Sequence, residues 1–258
     1  RLPPPELRWK ILLAGLQGLP MTTLFQLPAA APPMRVRARP HVFPLDPAHA
    51  ALLVIDMQYD FLDPLGGCPQ LLQVPPEALE TVRGIIPQVA RLLDSARRHG
   101  FTIVYTREAS LPDLSDLSPS KALRYANAGY PVGGVGKMGK FLIRGELGTE
   151  LIAELQPTAD ELQIDKPAQS IFIGTNLAQT LQQQKITHLL FTGVTTECCV
   201  LGSYRQASDL GFYCLLLSDC CAAMSPIEHQ AAIDVILAEN GAIGWVTTSD
   251  RLLRACPI

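Results

Sequence analysis

Six short runs of apolar residues constrain this chain more than any other feature. They are Ala51 to Asp56 (ALLVID), Phe101 to Thr106 (FTIVYT), Glu161 to Asp165 (ELQID), His188 to Val194 (HLLFTGV), Phe212 to Ser218 (FYCLLLS) and Ile243 to Thr247 (IGWVT). A strand that is apolar at consecutive positions, not only at alternate ones, is covered on both faces. The intervening segments carry helical period. Val82, Ile85, Ile86, Val89, Leu92, Leu93 and Ala96 recur at three and four, and Gly100 follows His99 as a C-terminal cap. Strands alternating with helices predict an α/β fold: a doubly wound, mainly parallel six-stranded sheet with helices on both faces. Ligands of such a sheet sit beyond the carboxyl ends of its strands.

The length, 258 residues at 48% hydrophobic, suits one such domain. We place it at residues 44–258, after a proline-rich N-terminal extension at 1–43. The first twenty residues weakly resemble a signal peptide, with Arg8 and Lys10 ahead of Ile11 to Leu16 and a cleavage-like Ala29 to Ala31. Gly15, Gln17 and Gly18 break that apolar run, which favours a plain extension. A formal net charge of -3 and the absence of any Lys/Arg run argue against a nucleic-acid partner. No stretch approaches the length of a membrane span. The seven cysteines, at 68, 198, 199, 214, 220, 221 and 256, show no CxxC spacing and an odd count. They read as thiols of a reducing, cytoplasmic compartment, neither a disulfide framework nor a zinc site.

Gly134, Gly136 and Gly139 spell GxGxxG, but the context is wrong for a dinucleotide. That fingerprint follows a strand and opens a helix, whereas here it follows NAGYPV and precedes the strand-like KFLIRG. The surrounding stretch, Leu111 to Gly139, has no clear period and reads as loops covering the site.

The informative positions are polar residues that end apolar strands, because a doubly wound fold gathers such ends around one crevice. Asp56 closes the first run, Lys166 follows the third, and Gly193 to Val200 (GVTTECCV) turns the fourth strand into a helix. A carboxylate, an ammonium and a thiol supply a general base, a charge stabiliser and a nucleophile. A helix start favours thiolate and offers free N–H groups to an oxyanion. Helical geometry alone leaves open which of Cys198 and Cys199 faces the crevice. Taken singly, Asp56 could merely cap a turn and Lys166 could be a solvated strand-end charge.

Together, LLVIDMQYDF at 52–61, TRE at 106–108, PDLSDLSPSK at 112–121, IRGELG at 143–148, IDKP at 164–167, GVTTECCV at 193–200 and LLLSDCC at 215–221 resemble the isochorismatase-like cysteine hydrolases. That family includes nicotinamidases, N-carbamoylsarcosine amidases, ureidoacrylate amidohydrolases and biuret hydrolases. The resemblance runs from about Pro44 to Leu253. It implies a triad of Asp56 as base, Lys166 and the nucleophile Cys199, with Cys198 a bystander. It also implies a cis peptide at Val194-Thr195, with the backbone N–H groups of Thr195 and Cys199 as the oxyanion hole.

The implied activity is hydrolysis of a C–N bond of a small linear amide or ureide through a thioester, with biuret or a close relative the best single substrate. An N-carbamoylsarcosine- or ureidoacrylate-type amidase, an isochorismate vinyl-ether hydrolase and a catalytically silent binding protein are the alternatives. Arg107 and Glu108 are candidates for substrate binding, or alternatively an ion pair holding the loop. The loop departs from the biuret-type pattern, with Ala109-Ser110-Leu111 where Gly-His-Arg is usual. Neither a cofactor nor a metal is expected: nicotinamidase-like members hold theirs through an Asp and histidines after the second strand, and this chain has no His between His99 and His188. The resemblance also implies a homo-oligomer, a dimer or tetramer.

Overall fold

The computed structural model describes residues 34–256; the signal-peptide-like features at 1–20 and 29–31 lie outside the described residues. The compact unit begins at Met34. Its strands are β1 (Met34–Val36), β2 (Phe43–Leu45), β3 (Ala50–Ile55), β4 (Thr102–Glu108), β5 (Val135–Gly136), β6 (Gly139–Lys140), β7 (Leu162–Lys166), β8 (His188–Val194), β9 (Tyr213–Ala222) and β10 (Trp245–Thr247). Its helices are α1 (Tyr59–Leu62), α2 (Gly67–Leu71), α3 (Pro76–Arg83), α4 (Ile86–Arg98), α5 (Pro119–Asn127), α6 (Leu177–Gln183), α7 (Leu201–Asp209), α8 (Pro226–Gly241) and α9 (Ser249–Ala255).

Six strands form one sheet in the order β10-β9-β8-β3-β4-β7, and every pairing in it is parallel. Chain order reverses direction between β3 and β8. That is the topological switch point of a doubly wound sheet, where the two halves diverge and leave a crevice. All six expected strands are present, with ends displaced by up to four residues.

The central strand explains why the runs are continuously apolar. Every residue of β3 is at most 1% exposed. Alternate side chains go to opposite layers. Ala50, Leu52 and Val54 join a core with Val89, Leu92 and Leu93 of α4 and Leu252 of α9. Ala51, Leu53 and Ile55 join a second core with Leu177 and Leu181 of α6, Tyr204 of α7 and Ile233 and Ile236 of α8. Each such aliphatic side chain contributes roughly 1.5–3 kcal/mol by leaving water.

Three expectations change. The residues just ahead of Pro44, assigned to the extension, fold with the domain: β1 pairs antiparallel with β2, and Val36 and Phe43 are fully buried. Phe43 sets its ring edge-on against His188 and Trp245, and Arg39 exchanges backbone hydrogen bonds with Val246 on β10, covering that sheet edge. The stretch 111–139 contains a helix, α5, started by Pro119 after Ser118, whose hydroxyl accepts from the Lys121 N–H at 3.2 Å. Its buried residues are Lys121 and Tyr125, so no aliphatic period marks it in the sequence. KFLIRG contributes only Lys140 to a strand, because β5 and β6 close a two-by-two hairpin and Phe141, Leu142 and Ile143 are then buried as loop.

Candidate active site

Asp56 leaves β3 with φ +53, a left-handed conformation that Asp tolerates better than most residues. Its N–H donates to the Thr106 carbonyl at 3.1 Å, and the Thr106 hydroxyl donates to its Oδ1 at 2.7 Å. Both contacts come from the neighbouring strand β4, so register fixes the carboxylate. Gly193, at the end of β8, makes the other side of this corner. Its φ is +113, and a Cβ there would overlap the Ile55 carbonyl oxygen, so only glycine lets β8 approach the end of β3.

After the cis Val194-Thr195 peptide, the chain makes one wide turn over Thr196–Val200 before α7 begins at Leu201. The Val200 N–H reaches back five residues to the Thr195 carbonyl at 3.2 Å. Wide turns of this kind recur at functional sites because they displace one residue from helical register. Cys199 sits within it, 4% exposed, while Cys198 is only half-buried.

Lys166, the last residue of β7, is fully buried. Its Nζ lies 2.7 Å from Asp56 Oδ2 and 3.3 Å from Glu108 Oε2, and donates to the Ala168 carbonyl at 3.0 Å. Asp56 Oδ2 has Lys166 as its partner, in an ion pair buried away from water. The thiol of Cys199 donates to Glu108 Oε2 at 3.0 Å. Glu108 is thus the hub of the site. Its Oε1 accepts from the Tyr125 hydroxyl at 2.8 Å and pairs with Lys121 Nζ at 2.6 Å. Gln58 fixes the Glu108 backbone, accepting from its N–H at 2.8 Å and donating to its carbonyl at 3.2 Å.

The two carboxylates are driven apart. Burial raises the Asp56 pKa, and the nearby Glu108 charge adds to this against the pull of Lys166. Burial also presses on Glu108, but the ammoniums of Lys166 and Lys121 outweigh it and hold that carboxyl well below the usual range. Burial, followed by the Glu108 charge, lifts the Cys199 thiol well above its ordinary value, with Lys166 opposing. The Lys166 ammonium is stabilised despite burial by Asp56, Cys199 and Glu108.

Of the sequence candidates, Asp56, Lys166, Cys199 and Glu108 converge. Arg107 does not. Alternation along β4 turns its side chain away from the Thr106 and Glu108 side, where it pairs with Asp165 at 2.7 Å and Glu150 at 2.7 Å. Glu108 has both oxygens engaged by protein partners, so it is placed as part of the thiol's surroundings. Gln58, Thr106, Lys121 and Tyr125 join the converging residues, although of these only Thr106 closes an apolar run. The Ser118-Pro119 helix start was the available signal for the last two, and alternation along TRE for Thr106.

Asp56, Glu108 and Cys199 offer three donor atoms within 4.8 Å of one another, a spacing compatible with a cation. The donor set does not fit a resident metal. Lys166 already bridges the two carboxylates and Lys121 closes on the second, so two fixed ammoniums supply the positive charge a metal would bring.

With this geometry in place, comparison with known proteins is decisive. The profile of the isochorismatase domain matches residues 50–251. The chain belongs to the isochorismatase family. It is 30% identical to the ureidoacrylate amidohydrolase RutB of Variovorax paradoxus (strain S110) over 238 residues, 89% of this chain and 90% of that protein. Among solved structures, an isochorismatase family protein from Desulfovibrio vulgaris superposes with a TM-score of 0.65 at 25% identity, over 81% of this chain and 98% of that one. A cysteine hydrolase from Pseudomonas syringae pv. phaseolicola shares the fold with a TM-score of 0.68 at 24% identity, over 86% and 96%. The chain is an isochorismatase-like amidohydrolase, an enzyme acting on C–N bonds other than peptide bonds. No helix among the described residues is long and apolar enough to cross a membrane.

Proposed function

We propose that this isochorismatase-family enzyme cleaves a small linear ureide by covalent catalysis, with Cys199 as nucleophile, Asp56 as proton shuttle and Lys166 as fixed cation. The observation that carries the reading is the opposite treatment of two buried carboxylates around one thiol. Burial raises the Asp56 carboxyl above its ordinary value, and the ammoniums of Lys166 and Lys121 hold Glu108 ionised. Paired groups with pKa values driven apart divide acid–base work between them.

The thiol hydrogen swings from Glu108 to Asp56, whose carboxylate has an oxygen within 4.8 Å of the sulfur. Sγ then attacks the carbonyl carbon, and the N–H groups of Thr195 and Cys199 receive the oxyanion. Asp56 returns the proton to the departing nitrogen, the C–N bond breaks and a thioester remains. Water, deprotonated by Asp56, hydrolyses the thioester and restores the thiol. Lys166 offsets the charge that develops at each stage.

The relative named ureidoacrylate amidohydrolase supports a ureido compound ending in N–CO–NH2, and favours that type over biuret, which carries the same group. A site built to bond urea-like N–H and C=O groups rejects analogues that leave its polar groups unpaired. Ammonia release should be measured from ureidoacrylate, biuret, N-carbamoylsarcosine and nicotinamide, with and without a chelator. Turnover is expected to be fastest with ureidoacrylate or biuret and indifferent to chelation. A preference for nicotinamide, chelator-sensitive turnover, or vinyl-ether cleavage of isochorismate with no ureide turnover would overturn the reading.

A further inference from the structure

Helix α5 delivers a second ammonium to the site. Lys121 is 3% exposed, and its Nζ lies 2.6 Å from Glu108 Oε1 and donates to the Pro167 carbonyl at 2.7 Å, one residue past Lys166. One helical turn later, Tyr125 is 7% exposed, and its hydroxyl donates to the same Oε1. The i, i+4 spacing puts both groups on one face of the helix, and that face is buried against Glu108. A buried Lys or Tyr side chain on a short surface helix is costly unless its polar end is paired. Here both polar ends converge on one carboxylate oxygen, while the other oxygen faces Lys166 and the thiol.

We propose that Lys121 and Tyr125 are positioning residues of the reaction, acting through Glu108 to hold its carboxylate as the oriented acceptor of the Cys199 thiol hydrogen. The inference rests on Cys199 being the nucleophile. With Lys121 present, the buried charges of Asp56 and Glu108 are matched by Lys166 and Lys121, and Lys166 is not consumed in neutralising Glu108. It remains available to the thiolate and to Asp56. Without Lys121, two carboxylates share one ammonium, and forming a thiolate would create a further uncompensated negative charge in a dry site. The groups facing the sulfur are Asp56 after β3, Glu108 of β4, Lys166 of β7 and, through Glu108, Lys121 and Tyr125 of α5. Tyr130, whose own phenol is pushed up to about 12 by burial and the neighbouring thiols, stands next to them.

The test is the pH dependence of Cys199 alkylation by iodoacetamide, read by peptide mass spectrometry on the full chain, which needs no substrate. Lys121→Met should move the apparent thiol pKa upward by one unit or more, slowing alkylation about tenfold or more at a fixed pH below it. Tyr125→Phe should move it the same way by less, and Glu108→Gln should move it downward. Opposite signs are the diagnostic readout. If Lys121 only braced the helix, its loss would admit water, hydrate the thiolate and lower the pKa. An unmoved or lowered profile in Lys121→Met, with the unfolding transition still cooperative, overturns the inference. If Lys121→Met does not fold, Tyr125→Phe and Glu108→Gln still decide by their opposite signs. Failure of the underlying assignment looks different: amide turnover that survives Cys199→Ser.

Discussion

Lys166→Met removes a fully buried ammonium from between two fully buried carboxylates, 2.7 and 3.3 Å away, and puts an apolar chain of similar length in its place. Breaking a buried ion pair by deleting one partner costs about 3–5 kcal/mol, because the remaining charge is uncompensated. In a domain of this size 1 kcal/mol moves the melting temperature by about 2–4 °C, so the variant should melt roughly 6–20 °C below the wild type at pH 8. The sign of the pH dependence separates this cause from a packing defect. In the wild type Glu108 is held below its unfolded pKa, so its stabilisation is present above about pH 4.5 and is lost only as pH falls toward the folded value. In the variant Glu108 keeps Lys121, but Asp56 loses its ammonium, and its folded pKa rises further above the unfolded one. Its burial is tolerated when protonated and becomes unfavourable as pH rises through the folded value. The gap in melting temperature should therefore narrow on going from pH 8 to pH 5. Differential scanning calorimetry of both proteins across that range measures it. A gap that stays constant with pH, or no gap at pH 8, would refute the electrostatic argument.

Cys199→Ser should lower amide turnover by several orders of magnitude, while Cys198→Ser keeps at least a tenth of it, because only Cys199 meets Glu108 and the carboxylate of Asp56. The reverse ranking in steady-state kinetics would reassign the nucleophile. Gly193→Ala should destabilise the domain and depress activity together, since the new Cβ forces β8 away from Ile55 and so displaces both Asp56 and the turn that carries Cys199. Chemical denaturation and activity assays would both have to stay at wild-type values for that reasoning to fail.

The sequence alone determined the architecture and three of the central residues, for a local reason. Continuous apolar runs such as ALLVID report that both faces of a strand are covered. A polar residue at the end of such a run stands out against its neighbours, which is how Asp56, Lys166 and the Cys198-Cys199 pair are legible. The choice between the two cysteines came from resemblance, and the fold puts Cys199 inside by inserting one wide turn that no propensity announces. What only the tertiary structure decided is the company these residues keep. Glu108 and Arg107 are adjacent charged residues that the sequence leaves equally eligible, yet strand alternation sends one into the site and the other to an outer pair with Asp165 and Glu150. Lys121 and Tyr125 arrive from a helix whose buried side is polar, so the apolar periodicity that reveals α4 is silent about α5. Met34 to Phe43 reads as the end of an N-terminal extension and is bound by pairing with β2 and by covering β10, partners that are close in space but, for β10, some two hundred residues away in the chain. Burial of apolar surface leaves a local periodic trace. Pairing of buried charges depends on partners brought from separate elements, and only the folded chain selects them.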